Sequence, residues 1–285
     1  MSMPFYISPE QTMRDKADYA RKGVARSRSS VALQYADGIL LVTPNVSSVL
    51  HKISEIYDRI AFAAVGRYNE YEALRKAGVT YADVTGYQFD RGDVTARGLA
   101  NWYAQALGGN ASEPAGKPYE VEIVVAEVGM QPDEDQIYRI TWDGAVTDEP
   151  GFVAFGGPAD QVSAALKERF SDDMSLTEAL GAALDALAAP TAGQQGQANG
   201  QTELTASNLE VAILDRARAH RTFRRLHGPR LEELIAESRA AKAQSAAPAE
   251  SESDSEPPAP AEPSPPPKSD EPPTGPSTAG DGSPL

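Results

Sequence analysis

The sequence predicts an α+β fold in which antiparallel sheets are covered by helices. Strand patterns occur in three groups along the chain, and a pair of helices separates each group from the next. Grouped strands argue against alternating βαβ units, because such units place a helix between every two strands. The 285 residues are 41% hydrophobic, which is ordinary for a chain that buries one sizeable core.

The first helix has a well-defined start. Ser8 is a suitable N-cap, Pro9 fits the first helical position, and Gln11 completes a capping box. An apolar stripe follows, formed by Met13, Ala17, Ala20 and Val24. Residues 31–35 then alternate as a strand, and the Asp37-Gly38 turn predicts a hairpin with residues 39–42.

A buried strand is predicted at residues 60–65, followed by two helices. The first helix begins near Arg67 and ends at Gly78, since glycine commonly stands just past a helix end. The second has Asp93 as its N-cap. Its apolar face consists of Leu99, Tyr103 and Leu107.

The second half of the chain repeats this order of strands and helices. Strands are predicted at residues 119–125, 138–142 and 152–155. Helices are predicted at residues 160–170 and after a capping box formed by Ser175 and Glu178. The final elements are strands at residues 209–214 and 222–226 and a helix at residues 230–240.

Composition divides the chain into a segment 1–7, a domain 8–240 and a tail 241–285. The tail holds 12 of the 22 prolines, and its two lysines and eight acidic residues give it a net charge of −6. Such a segment buries too little apolar surface to offset its ordering entropy, so we expect it to be disordered. A Gly/Gln-rich stretch at residues 191–201 is expected to be a surface loop.

Charge and residue types narrow the range of functions. Lys and Arg number 26 against 41 Asp and Glu, and the net charge of −15 disfavours a nucleic-acid partner. The chain has no cysteine, no apolar run of the ~20 residues that cross a bilayer, and no signal-peptide pattern at its start. We therefore expect a cytoplasmic protein without a membrane partner.

Known cofactor, metal and hydrolase motifs are missing. Gly116-Lys117 is followed by Pro118 where a P-loop needs Ser or Thr, and no G-x-S-x-G occurs. The three histidines are not spaced as a helical pair of metal ligands. We expect no cofactor and no metal. The arginines between residues 216 and 230 are expected to pair with the surplus carboxylates.

Several blocks of sequence resemble the α-type subunits of the 20S proteasome, in particular those of actinobacteria. The first block is FYISPEQ at residues 5–11 with DYARKG at residues 18–23, and the second is LHKISEIYDRIAFAAVGRYNE at residues 50–70. Shorter matches occur at residues 87–91, 99–107, 118–128 and 207–215. The resemblance covers most of residues 1–240 and excludes the tail and the 191–201 loop.

The resemblance implies a four-layer αββα sandwich of the N-terminal nucleophile hydrolase type. It also implies a ring of seven α subunits stacked on catalytic β rings. Relatives of the β type use an N-terminal Thr as nucleophile, with Asp and Lys groups beside it. Arg28 stands at the position of that Thr and Pro44 at the position of the Asp, while Lys52 matches the Lys. The resemblance therefore implies a non-catalytic subunit.

Two binding roles are also implied by the resemblance. The segment before the first helix would close the axial pore of the ring, so its residues are candidate gate residues: Met1, Ser2, Met3, Pro4, Phe5, Tyr6 and Ile7. Ser8, Pro9 and Gln11 would fix where the rigid helix begins. Lys52 would meet the C-terminal carboxylate of a ring-shaped AAA ATPase activator.

Two alternatives of other classes remain open. The chain would be an active hydrolase of the same fold if processing exposed Ser27, Ser29 or Ser30 as a new N-terminus. It would be a free-standing adaptor with an acidic recruitment tail if it were a monomer in solution.

Overall fold

A computed structural model describes residues 8–114, 116–192 and 203–246. The predicted gate segment 1–7, most of the Gly/Gln-rich loop and the tail from residue 247 lie outside the described residues. The helices of the described part are α1 (Pro9–Ala25), α2 (Tyr68–Gln88), α3 (Ala96–Ser112), α4 (Ala159–Lys167), α5 (Leu176–Ala192) and α6 (Pro229–Ala246). Its strands are β1 (Ser30–Tyr35), β2 (Gly38–Pro44), β3 (Ile53–Tyr57), β4 (Ile60–Gly66), β5 (Val121–Glu127), β6 (Gln136–Ile140), β7 (Val146–Asp148), β8 (Phe152–Phe155), β9 (Leu209–Asp215) and β10 (Phe223–Leu226).

The strands form two antiparallel five-stranded sheets. The first sheet has the order β10-β9-β2-β1-β8, and the second has the order β3-β4-β5-β6-β7. The predicted hairpin at the Asp37-Gly38 turn is present, with Tyr35 opposite Gly38 and Val31 opposite Val42. The antiparallel α+β fold is therefore confirmed.

Three hydrophobic clusters define four layers. Between the sheets, inward-facing side chains of both sheets pack together, among them Leu41, Phe155 and Val124. On the outer face of the first sheet, α4, α5 and α6 cover strands β1, β2 and β9. On the outer face of the second sheet, α2 and α3 cover β4 and β5. The order helices, sheet, sheet, helices confirms the αββα sandwich.

Gly78 does not end a helix, contrary to the prediction. It lies inside α2, which continues to Gln88. A Cβ atom at this position would lie 1.9 Å from the hydroxyl oxygen of Tyr103, whose ring is fully buried and whose hydroxyl donates to Leu74 O at 3.2 Å. The glycine is thus explained by packing between α2 and α3 rather than by a helix end.

Asp93 is not the N-cap of α3, contrary to the prediction. It belongs to a 3-10 turn, Arg91–Asp93, in which its carboxylate accepts from the backbone N–H of Asp90 at 3.1 Å. The cap is Thr95, whose hydroxyl accepts from Gly98 N at 3.1 Å. Asp93 and Thr95 are both suitable capping residues. Because Asp93 is used in the 3-10 turn, α3 begins after Thr95.

Strands β3 and β7 were not predicted, because each is short and lacks a clear alternation of apolar residues. All three residues of β7 are exposed. The last helix also differs, since α6 runs past the predicted end at Ala240 to Ala246. By contrast, the Ser175/Glu178 capping box is confirmed, with each side chain accepting from the other residue's backbone N–H.

Candidate functional site

The candidate site lies at the edge where β1 begins, β2 ends and β3 begins. The β1–β2 register places Ser30 beside Thr43, and their hydroxyl oxygens are 2.7 Å apart. Continuing that register brings the Arg28-Ser29 segment next to Pro44, and these residues line one cleft of about 1130 Å³. Lys52, just before β3, donates from Nζ to the Pro44 carbonyl oxygen at 3.0 Å. The structure therefore brings together Arg28, Pro44 and Lys52.

Glu210 fixes the backbone at Lys52. Its Oε2 accepts from Lys52 N at 2.9 Å and its Oε1 accepts from Ile53 N at 3.2 Å. Arg225 forms an ion pair with the same buried carboxylate, and His51 Nδ1 lies 3.2 Å from it. Sequence analysis missed Glu210, because a single acidic residue within β9 looks like a solvent-facing position of an alternating strand.

The Lys52 ammonium is partly removed from water without a carboxylate of its own. Burial lowers the pKa of Lys52, the nearby charge of Glu210 opposes this, and the charge of Arg28 lowers the pKa further. Among the described residues no carboxylate oxygen lies within 4.0 Å of the ammonium. Arg28 is exposed and likewise forms no ion pair with a described residue. An anion that enters here would meet two cations that the described residues leave unneutralised.

Two of the three serine hydroxyl groups near the start of β1 form hydrogen bonds that hold the fold. Ser27 Oγ accepts from Gly66 N at 2.9 Å, and Ser30 is engaged with Thr43. Ser29 is 5% exposed, and its Oγ is buried without a hydrogen-bond partner among the described residues. Because α1 precedes this segment, each of these serines stands within the chain and not at a free α-amine.

Helix α1 begins where the sequence predicted. Ser8 Oγ accepts from Gln11 N at 3.2 Å, and Pro9 is the first helical residue. The second half of the predicted capping box is not formed, because the Gln11 side chain donates instead to Asp15 Oδ1 at 2.7 Å. One helical turn separates Gln11 from Asp15, so the Gln11 side-chain N–H reaches a charged acceptor on the same face of the helix.

A buried lysine anchors α1 to the body of the domain. Lys16 is 8% exposed and donates from Nζ to the carbonyl oxygens of Ala111 at 3.1 Å and Glu113 at 2.5 Å, at the end of α3. The last carbonyls of a helix lack an intrahelical donor, and the ammonium supplies one to Ala111 and a second one to Glu113, which also accepts from Gly116 N at 3.1 Å. Farther along α1, a Cβ at Gly23 would lie 2.4 Å from Glu120 Oε2, so the helix approaches β5 closely there.

The arginine cluster largely follows the prediction. Arg216 forms a bidentate pair with the buried Asp135 at 2.7 and 2.8 Å. Four more of its arginines have carboxylate partners: Arg221, Arg224, Arg225 and Arg230. Arg218 has none among the described residues. The cluster is therefore mainly a set of ion pairs.

Two other searches bear on the site. In residues 8–114, 116–192 and 203–246, no three His, Asp or Glu side chains are grouped as ligands for a metal ion. None of the helices in that part of the chain combines the length and apolar character needed to cross a membrane.

Comparison with known proteins gives a consistent result. The model of the proteasome subunit family matches residues 24–212. A proteasome subunit alpha of Thermomonospora curvata is 63% identical over 237 residues, which are 83% of this chain and 99% of the relative. That of Streptosporangium roseum is 63% identical over 86% of this chain and 92% of the relative. The proteasome subunit alpha of Kineococcus radiotolerans is 61% identical over 83% of this chain and 99% of the relative.

Proposed function

The chain belongs to the proteasome family and is similar to its α subunits, and from this membership we propose that it is a non-catalytic subunit of the α ring. In the proposal it gates the entry of substrates into the proteolytic chamber and docks a ring-shaped AAA ATPase. Membership implies assembly with other proteasome subunits. The finer features of the proposal are a ring of seven copies, stacking on β subunits and a cytoplasmic location. Electron microscopy of this chain co-expressed with its β subunit tests the ring.

The observation that carries the proposal is the set of residues where β1 begins and β2 ends. By the resemblance, Arg28 and Pro44 stand where the β-type relatives have the nucleophile and its carboxylate partner, and Lys52, which donates to the Pro44 carbonyl oxygen, matches their lysine. A guanidinium has no free electron pair with which to attack a carbonyl carbon. The retained lysine supports a binding role, because its ammonium lacks a carboxylate among the described residues.

Peptide hydrolysis tests the absence of catalysis. The purified chain should not hydrolyse fluorogenic peptides, and added β subunits should supply the whole rate. Intact mass of the purified chain checks for processing near Ser27, Ser29 and Ser30. Turnover by the α chain alone, abolished by a single Ser→Ala change at one of them, would show instead an active hydrolase.

Substitution of Lys52 tests docking. Lys52→Ala should weaken ATPase-stimulated degradation of a protein substrate and spare the hydrolysis of small peptides, because it removes one carboxylate contact in each subunit. One such contact contributes about 1–3 kcal/mol, and several sites around a ring act together. The matched control is Lys76→Ala, since Lys76 is an exposed lysine on α2. Equal stimulation of the Lys52→Ala and control particles would contradict docking at Lys52.

Deletion of residues 2–7 tests gating. The segment carries no charged side chain, and several apolar copies that converge near a ring axis could bury one another. The capped start of α1 and the anchor at Lys16 support the proposal, because a fixed helix determines where the segment begins. Deletion should accelerate entry of peptides and of an unfolded protein into the αβ particle without an activator. Equal rates in the deleted and intact particles would show that the segment does not gate.

Truncation tests the role of the tail. Because α6 reaches Ala246, the chain should be cut after that residue and not after Ala240. Ring assembly and peptide hydrolysis should be unchanged, since the removed part lacks core-forming residues. A large loss of assembly would give the tail a structural role, and a monomeric mass of the intact chain would favour the adaptor alternative.

A further inference from the structure

We propose that Glu120 is the positioning residue of helix α1, and that an ionic cluster around it holds the helix in the orientation that closes the pore. The ionic cluster consists of Glu120, Glu70, Arg67 and Lys117. This role rests on the proposed gating, because α1 carries the segment that would close the pore, and it names the residues that fix that segment in place.

Helix α1 touches the rest of the domain along a narrow stripe. Of its 17 residues, only Lys16 and Ala20 are buried. Lys16 holds the middle of the helix to the end of α3, and Ala20 packs beside Ala111 and Trp142. The stripe continues through the half-buried Gly23. With so few contacts, the surface that faces Gly23 largely sets the orientation of the C-terminal half of α1.

The Glu120 side chain forms the surface that faces Gly23. A Cβ atom on Gly23 would lie 2.4 Å from Oε2, 2.6 Å from Cγ and 2.7 Å from Cβ of Glu120. Glycine is a poor helix former, so this close approach explains its place inside α1. The Glu120 backbone is fixed on both sides, because its N–H donates to Glu70 Oε2 at 2.7 Å and its carbonyl oxygen accepts from Arg67 N at 2.9 Å.

Two cations hold the buried carboxylates of the ionic cluster. The Glu120 side chain is 7% exposed and forms ion pairs with Arg67 at 2.7 Å and with Lys117 at 3.0 Å. Lys117 also pairs with Glu70, so it links the start of α2 to the residue before β5. Tyr19 adds a second contact from α1, since its hydroxyl donates to Glu120 and its ring lies 5.7 Å from the Lys117 ammonium.

The ionic cluster is neutral as a whole, and its balance depends on each member. Its two carboxylates are largely buried, whereas the side chains of Arg67 and Lys117 are about half exposed. Removing one cation would leave two close carboxylates with too little positive charge beside α1.

A change at Gly23 reaches the start of α1 because the helix is a rigid rod. Pro9 and Gly23 lie on either side of Lys16, each seven residues away along α1, which is about 10 Å. With the buried Lys16 as pivot, a displacement at Gly23 is matched by a similar displacement of Pro9 in the opposite direction. The segment before Pro9 would then leave the position in which it closes the pore.

Two substitutions in the assembled αβ particle test the positioning role from opposite sides. Gly23→Ala introduces the Cβ that would clash, and Glu120→Gln removes the charge that pairs with Arg67 and Lys117. Hydrogen exchange of the α1 amides, measured by mass spectrometry, should become about threefold faster or more in both variants. Alanine is the better helix former, so helix propensity alone would slow the exchange in Gly23→Ala.

Matched controls make similar changes away from the ionic cluster. Lys22→Ala alters an exposed residue of α1, and Glu122→Gln neutralises another buried carboxylate of β5, which pairs with Arg139 at 2.6 Å. Both should leave the exchange of α1 unchanged. Lys117→Arg should also retain the wild-type exchange, because the bridging charge is kept, whereas Lys117→Met should accelerate it.

Peptide entry connects the orientation of α1 to the gate. Without an activator, the Glu120→Gln and Gly23→Ala particles should admit a small fluorogenic peptide about two- to fivefold faster than the wild type. The increase should vanish in particles that also lack residues 2–7, because the segment that α1 positions is then missing. A general loss of stability would still show the increase in that background.

Unchanged α1 exchange in both Glu120→Gln and Gly23→Ala would overturn the positioning role, and so would equal effects of Glu120→Gln and its Glu122→Gln control. Failure of the gating proposal gives a different result. In that case the exchange of α1 becomes faster in the two variants, while peptide entry responds neither to them nor to deletion of residues 2–7.

Discussion

Replacement of Gly78 by alanine tests the packing of α2 on α3. Alanine inside an exposed helix position stabilises by up to about 1 kcal/mol relative to glycine. At Gly78 the added Cβ would lie 1.9 Å from Tyr103 Oη and 2.7 Å from its Cζ, where ordinary contacts are 3.4 Å or more. The fully buried Tyr103 ring cannot shift by over 1 Å without disturbing its neighbours.

Two costs oppose the helical gain at Gly78. Overpacking costs about 1–3 kcal/mol, and the hydrogen bond from Tyr103 to Leu74 O contributes about 1 kcal/mol more. We expect Gly78→Ala to lower the free energy of unfolding by about 1–3 kcal/mol. The matched control is Gly109→Ala in α3, because no atom lies within 4 Å of a Cβ there. It should stabilise by about 0.5–1 kcal/mol.

Urea unfolding of the full-length chain measures both variants. The fluorescence of Trp102 reports on this region, since its ring lies 5.2 Å from that of Tyr103. The two substitutions should shift the midpoint in opposite directions, by roughly 0.5–1 M downward for Gly78→Ala. A midpoint of Gly78→Ala equal to or above the wild-type value would refute the steric argument.

Three further predictions concern charged groups, each measured by urea unfolding. Lys16→Met should lower the free energy of unfolding by about 1–3 kcal/mol, because the Ala111 carbonyl loses the buried ammonium as donor and the Glu113 carbonyl keeps only Gly116 N; the exposed Lys22→Met should change it by less than about 0.5 kcal/mol. Arg216→Ala should lower the free energy of unfolding by about 2–4 kcal/mol, because it leaves the buried Asp135 carboxylate without its ion-pair partner. Arg218→Ala should leave the free energy of unfolding nearly unchanged, and an equal loss in both variants would contradict the pairing. Burial raises the pKa of Glu127, so stability falls as pH rises from about 4.3 through the folded-state pKa. Glu127→Gln should flatten the dependence of the unfolding free energy on pH in that range, and an unchanged slope would contradict the raised pKa of Glu127.

Much of the fold could be predicted because local signals and packing agreed. The Ser8-Pro9 helix start, the Asp37-Gly38 hairpin and the Ser175/Glu178 box each act over a few residues, and each is present. Predictions failed where one signal fitted two structures. Gly78 fits a helix end as well as a tight helix contact, and Asp93 is as good a cap as Thr95.

Prediction of the candidate site was also partial. Lys52, Arg28 and Pro44 were found through the family resemblance and not through a local pattern. Glu210 was not found, because its partners Lys52 and Ile53 lie more than 150 residues away in the chain. Lys16 was missed for the same reason, since a lysine on α1 looks like a solvated residue until α3 is placed beside it.

The sequence by itself determined the α+β class and the grouping of strands, because periodicity and turn signals are local properties. It also determined the family, through blocks of residues that resemble the proteasome α subunits. Only the tertiary structure decided that Lys52 is half-buried, that its ammonium donates to the Pro44 carbonyl oxygen and that Glu210 holds its backbone. The charge state and the partners of an ionisable group depend on which distant strands enclose it, and that is set when the two sheets pack together.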